Sequence, residues 1–180
     1  MIEAVRQELA PNGILRAGIN MSNPLLVTGK TEAGDPAGVS PDMARAIAER
    51  LGVEVRYVQF PSPGVLADAV GEDAYDIGLI AAEPARAESI TFTSAYVEIE
   101  ATYLVPAGSP LAVIDDVDRP GIRIAVSDRS AYDLYLTRAL EHGELHRAKG
   151  LAGALELFIS SKLDALSGLR PALIEDIKTM

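Results

Sequence analysis

The chain has 180 residues, of which 48% are hydrophobic, so it can bury a core of its own and does not read as disordered. A formal net charge of −10 excludes the cationic face that nucleic acid or an anionic membrane surface would need. Zero Cys excludes disulfides, thiol catalysis and thiolate metal sites, and zero Trp leaves few groups for stacking.

Taken in chain order, "MIEAVRQELAPNG" opens acidic and amphipathic, without the charged and apolar regions of a signal peptide. No apolar run approaches the roughly 20 residues that cross a bilayer. "GILRAGIN" (13–20) reads as a first strand, and the Gly- and Pro-rich stretch after it as a loop. "SPDMARAIAERLG" predicts a helix with Ser40 as N-cap, Pro41 at its first position and Gly52 ending it. Met43, Ala46, Ile47, Arg50 and Leu51 form the face expected to dock on a sheet. "VEVRYVQF" (53–60) alternates with period two and predicts a strand. "PGVLADAVGEDA" predicts a short helix, and "YDIGLIA" a strand apolar enough for burial on both faces. This β-α-β-α-β order implies a parallel sheet, with ligand-binding loops at the carboxyl ends of its strands.

A second such series follows. "EATYLVPAGSPL" is extended, "DDVDRPG" turn-rich and "IRIAVSD" a strand. "RSAYDLYLTRALEHG" is then a helix, "LHRAKG" a short strand, "LAGALELFISSK" a helix, "LDALSGL" a strand and "RPALIEDIKTM" a helix start. The two halves show no sequence repeat by eye, and two α/β lobes fit the alternation better than one large sheet.

Few residues suggest chemistry. Arg86 follows the third strand, and its guanidinium is a planar fork of donors that suits a carboxylate. A surface salt bridge with Glu83 or Glu88 is the other reading of the same position. Ser130 opens a helix whose N-terminus can hold an anion, or it serves as a plain N-cap. His142 and His146 have the spacing of two metal ligands on a helix, but Gly143 interrupts it and no third ligand lies near. Asp115/Asp116 and Glu72/Asp73 lie in polar turns, without the burial that raises the pKa of a general acid. No G-x-S-x-G, G-x-G-x-x-G or P-loop motif occurs, so the residues point away from an enzyme, and no cofactor or metal is expected.

"GDPAGVSPDMARAIAERLGVEVRYV", "YDIGLIAAEPARAESITFTSAYVEIEATYLVPAGSPL", "DRPGIRIAVSDRSAY" and "KLDAL" occur in this order. In that sequence of motifs the chain, from about residue 13 onward, resembles the bacterial extracytoplasmic solute-binding proteins of family 3, the polar-amino-acid receptors of ABC transporters. The resemblance implies an α/β, type II periplasmic-binding fold: lobe 1 over 1–97, a hinge crossing over 98–103 and lobe 2 over 104–180, with the ligand in the interlobe cleft. It implies a small carboxylate-bearing ligand, an ABC permease as partner and a periplasmic or extracytoplasmic location.

By the same resemblance Arg86 and Ser130 hold the ligand carboxylate, and Ser22 and Asn23 contact the ligand's side chain. Ala81 and Ala82 occupy a loop where the family often places Ser or Thr donors. Phe60 is the substitute for the family's stacking aromatic, whose place is taken here by "PSPG". Leu169 stands where the family has an Asp for the ligand's amino group, with Arg170 beside it. An ammonium without a carboxylate partner is costly to bury, so the pattern favours an anionic ligand. Arg170 either faces the cleft, favouring an organic acid, or is a solvated helix start. The chain ends before the family's return strand, and the exposed edge this implies is expected to favour a homodimer. A ligand-sensing module of a signalling system and a dehydratase-like enzyme on the same fold are the alternative functions.

Overall fold

The computed structural model describes residues 2–179, and the chain divides into two compact units between Ala81 and Ala82. In the first unit the elements run α1 (Ile2–Leu9), β1 (Ile14–Asn20), β2 (Gly29–Lys30), β3 (Pro36–Ala37), α2 (Val39–Leu51), β4 (Glu54–Phe60), α3 (Pro63–Asp68) and β5 (Ile77–Leu79). A parallel three-stranded sheet has the order β4-β1-β5, and β2 and β3 form a separate antiparallel hairpin inside the expected loop. β1 is central because Leu15, Ala17 and Ile19 are fully buried. Ala44 and Ala48 of α2 pack against Ala17, Ile19 and Leu15, small side chains that let helix and sheet approach closely.

Three expectations for this unit are corrected. Ser40 does not cap α2; it lies inside the helix, buried, with its N–H donating to the Leu26 carbonyl at 3.0 Å. The cap is Gly38, at φ 132°, where an added Cβ would stand 2.6 Å from the Leu26 carbonyl oxygen. The loop passes too close there for any side chain. The buried face of α2 runs through Ala44, Ala48 and Leu51, with Met43 and Ile47 half-buried at its flanks, whereas Ala46 and Arg50 are exposed. Gly52 does end the helix, in the left-handed conformation. β5 is a half-buried edge strand instead of one covered on both faces: Gly78 is exposed and Leu79 buried.

The second unit contains α4 (Pro84–Ala87), β6 (Ala101–Leu104), a 3-10 turn (Ile114–Val117), β7 (Arg123–Ser127), α5 (Ala131–Ala139), β8 (Glu144–Ala148), α6 (Gly150–Ser160), β9 (Ala165–Leu169) and α7 (Arg170–Thr179). Its sheet has the order β6-β9-β7-β8, with β6 antiparallel and the others parallel. One core cluster joins Ala125, Leu166, Ala154, Phe158, Leu163 and Leu173; another joins Ile124, Val117 and Ala165. Residues 82–97 belong to this second unit, and the expected hinge crossing at 98–103 runs into β6. Among the described residues, no helix is long and apolar enough to cross a membrane.

The two sheets share a local device that the residue string does not display. In the first, the Arg16 N–H donates to Asp76 Oδ2 at 2.7 Å and the Asp76 N–H returns to the Arg16 carbonyl at 2.9 Å. In the second, the Arg123 N–H donates to Asp164 Oδ2 at 2.8 Å and the Asp164 N–H returns to the Arg123 carbonyl at 3.0 Å. In both, the guanidinium also donates through Nε to the same carboxylate. Each bracket fixes the register at the start of a parallel pair, where a one-residue slip would turn every side chain over.

Four carboxylates of the second unit are held below their usual range, among them Glu100, lowered by the Arg170 side chain. Asp164 is lowered by the Arg123 side chain, and Asp116 by the N–H groups of Val113 and Ala112. Asp118 is lowered by the N–H groups of Glu141, Gly143 and His142, which tie the turn after α5. Asp176 is raised by burial and acts in the opposite direction. A lowered carboxylate contributes stability that is fully present above its unfolded pKa, about 4, and is lost as pH falls through the folded value. Urea titrations at pH 7, 4 and 3 should therefore show stability falling below about pH 4. The fall should be shallower in Asp118→Asn, and equal slopes for the two proteins would contradict the assignment.

Candidate functional site

A buried polar cluster lies where α4 meets the start of α5. Glu83 caps α4: its Oε2 accepts the Ala85 N–H at 3.0 Å, and Pro84 takes the first helical position. Arg86 is therefore no surface charge. It is 5% exposed, and its Nη2 donates to the carbonyl of Arg129 at 3.0 Å. Burial lowers the Arg86 pKa; the nearby Glu83 charge raises it and Arg129 lowers it further. The group remains a cation, with its charge largely withdrawn from water.

Arg129 sits at φ 57°, a left-handed turn that swings its carbonyl toward Arg86 and leads into α5. Ser130 is the N-cap, its Oγ accepting the Asp133 N–H at 3.1 Å. Asp133 is 2% exposed and accepts the Arg129 N–H at 2.7 Å and Arg147 Nε at 3.0 Å. These bonds make the turn rigid. The result is a buried guanidinium beside a helix N-terminus, two features that each favour a carboxylate or a similar anion.

The structure thus brings Arg86 together with the turn that carries Ser130. The other expected site residues are placed differently. Ser22 Oγ donates to Asn20 Oδ1 at 2.8 Å, and Asn23 Oδ1 accepts the Leu25 N–H at 3.1 Å, so both side chains organise the loop after β1. Ala81 and Ala82 are exposed. Phe60 is in a core cluster with Leu66 and Ala69 and stands edge-on to Tyr75 at 5.7 Å. Arg170 makes a two-point ion pair with Glu100, at 2.7 and 2.9 Å, beside the antiparallel pair β6-β9. Leu169 lines a recess with Tyr132, Ser167 and Asp176 whose free volume, about 20 Å³, suits one water-sized group.

The two histidines do not share a helix: His142 is in the turn after α5, and His146 is on β8. Among the described residues no three His, Asp or Glu groups converge as metal ligands.

Sequence reasoning did not single out Tyr132 or Arg138, and it weighed Glu83 only as a surface partner. Tyr132 is buried, with Ser127 and Ser130 beside its hydroxyl. Arg138 pairs with Glu83. Glu83 before Pro84 was legible as a helix cap; the Arg138 contact had no local signal.

Comparison with known proteins bears on this geometry. The family model for bacterial extracellular solute-binding proteins, family 3, matches residues 15–177. No curated protein sequence matches the chain. Among solved structures, the ancestral amino acid-binding protein AncCDT-1, a precursor of cyclohexadienyl dehydratase, is similar with a TM-score of 0.79 at 22% identity, over 97% of this chain and 78% of that one. The arginine-bound form of truncated ArgBP from T. maritima is similar with a TM-score of 0.74 at 21% identity, over 94% and 81%. A binding component of an ABC transporter from Wolinella succinogenes DSM 1740, complexed with lysine, is similar with a TM-score of 0.71 at 20% identity, over 87% and 68%. At these identities the likeness is one of fold: an α/β fold of the type II periplasmic-binding kind.

Proposed function

Because the chain belongs to the bacterial extracellular solute-binding proteins of family 3, we propose that it is a receptor for a small carboxylate-bearing solute, an amino acid or an organic acid, which it delivers to an ABC-type importer. The observation that carries this reading is the buried Arg86 guanidinium, held against the Arg129 carbonyl at the start of the Ser130-capped helix. A carboxylate there would receive charge-assisted bonds from Arg86 and lie at the positive end of α5.

Ser22, Asn23 and Ala81 are proposed contacts for the remainder of the ligand. Phe60 and Arg170 are left out of this set, because one is core and the other is occupied by Glu100. Binding of arginine and lysine by structural relatives supports an amino acid as one ligand class. Leu169, in place of an acid, supports a ligand whose recognition rests on its carboxylate. The role proposed is capture instead of turnover, in an extracytoplasmic compartment by family membership.

Calorimetric titration of the protein with L-arginine, L-lysine, L-glutamate and succinate, and with the carboxamide of each binder, tests the reading. At least one free acid should bind, and its carboxamide should bind at least about 30-fold more weakly, the scale of losing one buried charge-assisted pair. Equal binding of acid and carboxamide would sink the carboxylate clamp.

A further inference from the structure

α4 has four residues, and the single one it buries is Arg86. A helix that short has no stability of its own, and this one has no apolar face to dock. Something polar must hold it. Both oxygens of the Glu83 carboxylate are engaged: Oε2 by the Ala85 N–H of α4, and Oε1 by Arg138 Nη1 of α5. Arg138 in turn donates to the Leu134 carbonyl of its own helix at 2.9 Å, which sets the direction of its guanidinium. Glu83 is as buried as Arg86, 5% exposed. A buried carboxylate needs a fixed partner, and losing that partner is far more costly than losing a surface pair.

From this geometry we infer that the Glu83–Arg138 ion pair is a positioning clamp, which fastens α4 to α5 and so fixes the Arg86 guanidinium beside the Ser130 turn. The clamp rests on the proposed anion site for its purpose, but its existence is measurable without any ligand. It explains why a side chain as mobile as arginine is presented in one place. The Arg86–Arg129 bond acts on the side chain of Arg86, and the backbone of α4 calls for a second anchor. The capped turn of Glu83, joined to Arg138, supplies that second anchor.

The test uses the whole chain and two readouts: hydrogen exchange of the amides of residues 84–87, and modification of Arg86 by phenylglyoxal followed by mass spectrometry. In Arg138→Met, exchange at these amides should rise about tenfold, and Arg86, protected in the wild type, should become modified. Arg138→Lys should restore most of the protection, which a generally loosened structure would not allow. Glu83→Gln keeps an oxygen for the Ala85 N–H and loses the charge; it should give the same exposure of Arg86 if Arg138→Met fails to fold. Unchanged exchange and unchanged Arg86 reactivity in a folded Arg138→Met or Glu83→Gln protein would overturn the clamp. These outcomes are separate from the fate of the carboxylate reading: should acids and carboxamides bind equally while Arg138→Met exposes Arg86, the ligand assignment falls and the clamp stands.

Discussion

Arg86→Ala is expected to lose at least about 30-fold in affinity for any carboxylate ligand that binds the wild type, which corresponds to the lower end of the 2–5 kcal/mol seen when one partner of a buried charge pair is truncated. The size follows from burial. At 5% exposure the guanidinium is largely cut off from water, so its bonds to an incoming anion are weakly screened. Arg86→Lys should recover part of the loss, because the charge remains while the planar two-point fork does not. Calorimetry on both variants, with thermal unfolding to establish that they fold, decides the matter. Wild-type affinity in Arg86→Ala for every ligand would remove Arg86 from the site.

The largest effect on stability is expected at Ile124. It is fully buried on β7, which lies between β9 and β8, and it packs against Val117 and Ala165. Ile124→Ala removes three carbons where the neighbours are themselves pinned, so the cavity is expected to stay open at a cost of about 2–5 kcal/mol. Against a total of about 5–15 kcal/mol for an ordinary domain, that is enough to leave the second unit marginal. Urea unfolding should show a lower midpoint with an unchanged slope. A midpoint within error of the wild type would mean that this cluster does not carry the unit.

Most of the fold was legible in advance because its signals are local. The alternation of 53–60 and the apolar runs at 13–20 and 122–128 are strand periods readable within eight residues, and each became a strand of the expected sheet. Gly52 and Ser130 marked helix ends by their own backbone and side-chain chemistry. The misplaced cap at Ser40 has a different cause. Ser at a helix start is a good local signal, but the approach of the Leu26 carbonyl to Gly38 is a contact across the chain, and it moved the helix start back. Ala46 and Arg50 satisfied a helical spacing, yet the sheet selected the neighbouring stripe of alanines, since close packing needs small side chains at the contact.

The site divides along the same line. Arg86 and Ser130 could be named from their positions after strands and from the family resemblance. Their mutual placement could not, because the Arg86–Arg129 bond joins residues 43 apart in sequence. Glu83 was read only as a surface partner, and the packed structure shows it capping α4 while bound to Arg138. Phe60 and Arg170 were both chemically suited to a ligand, and both found partners inside the protein instead.

By itself, then, the sequence determined the order of elements, the α/β class and the presence of one well-placed cation, because periodicity, capping and charge act within a few residues. Tertiary structure decided which side chains meet: the two Arg–Asp brackets, the cap at Gly38, the Glu83–Arg138 pair and the burial of Arg86. The reason is physical. Long-range polar contacts depend on where the backbone brings distant residues, and no spacing in the chain encodes that distance.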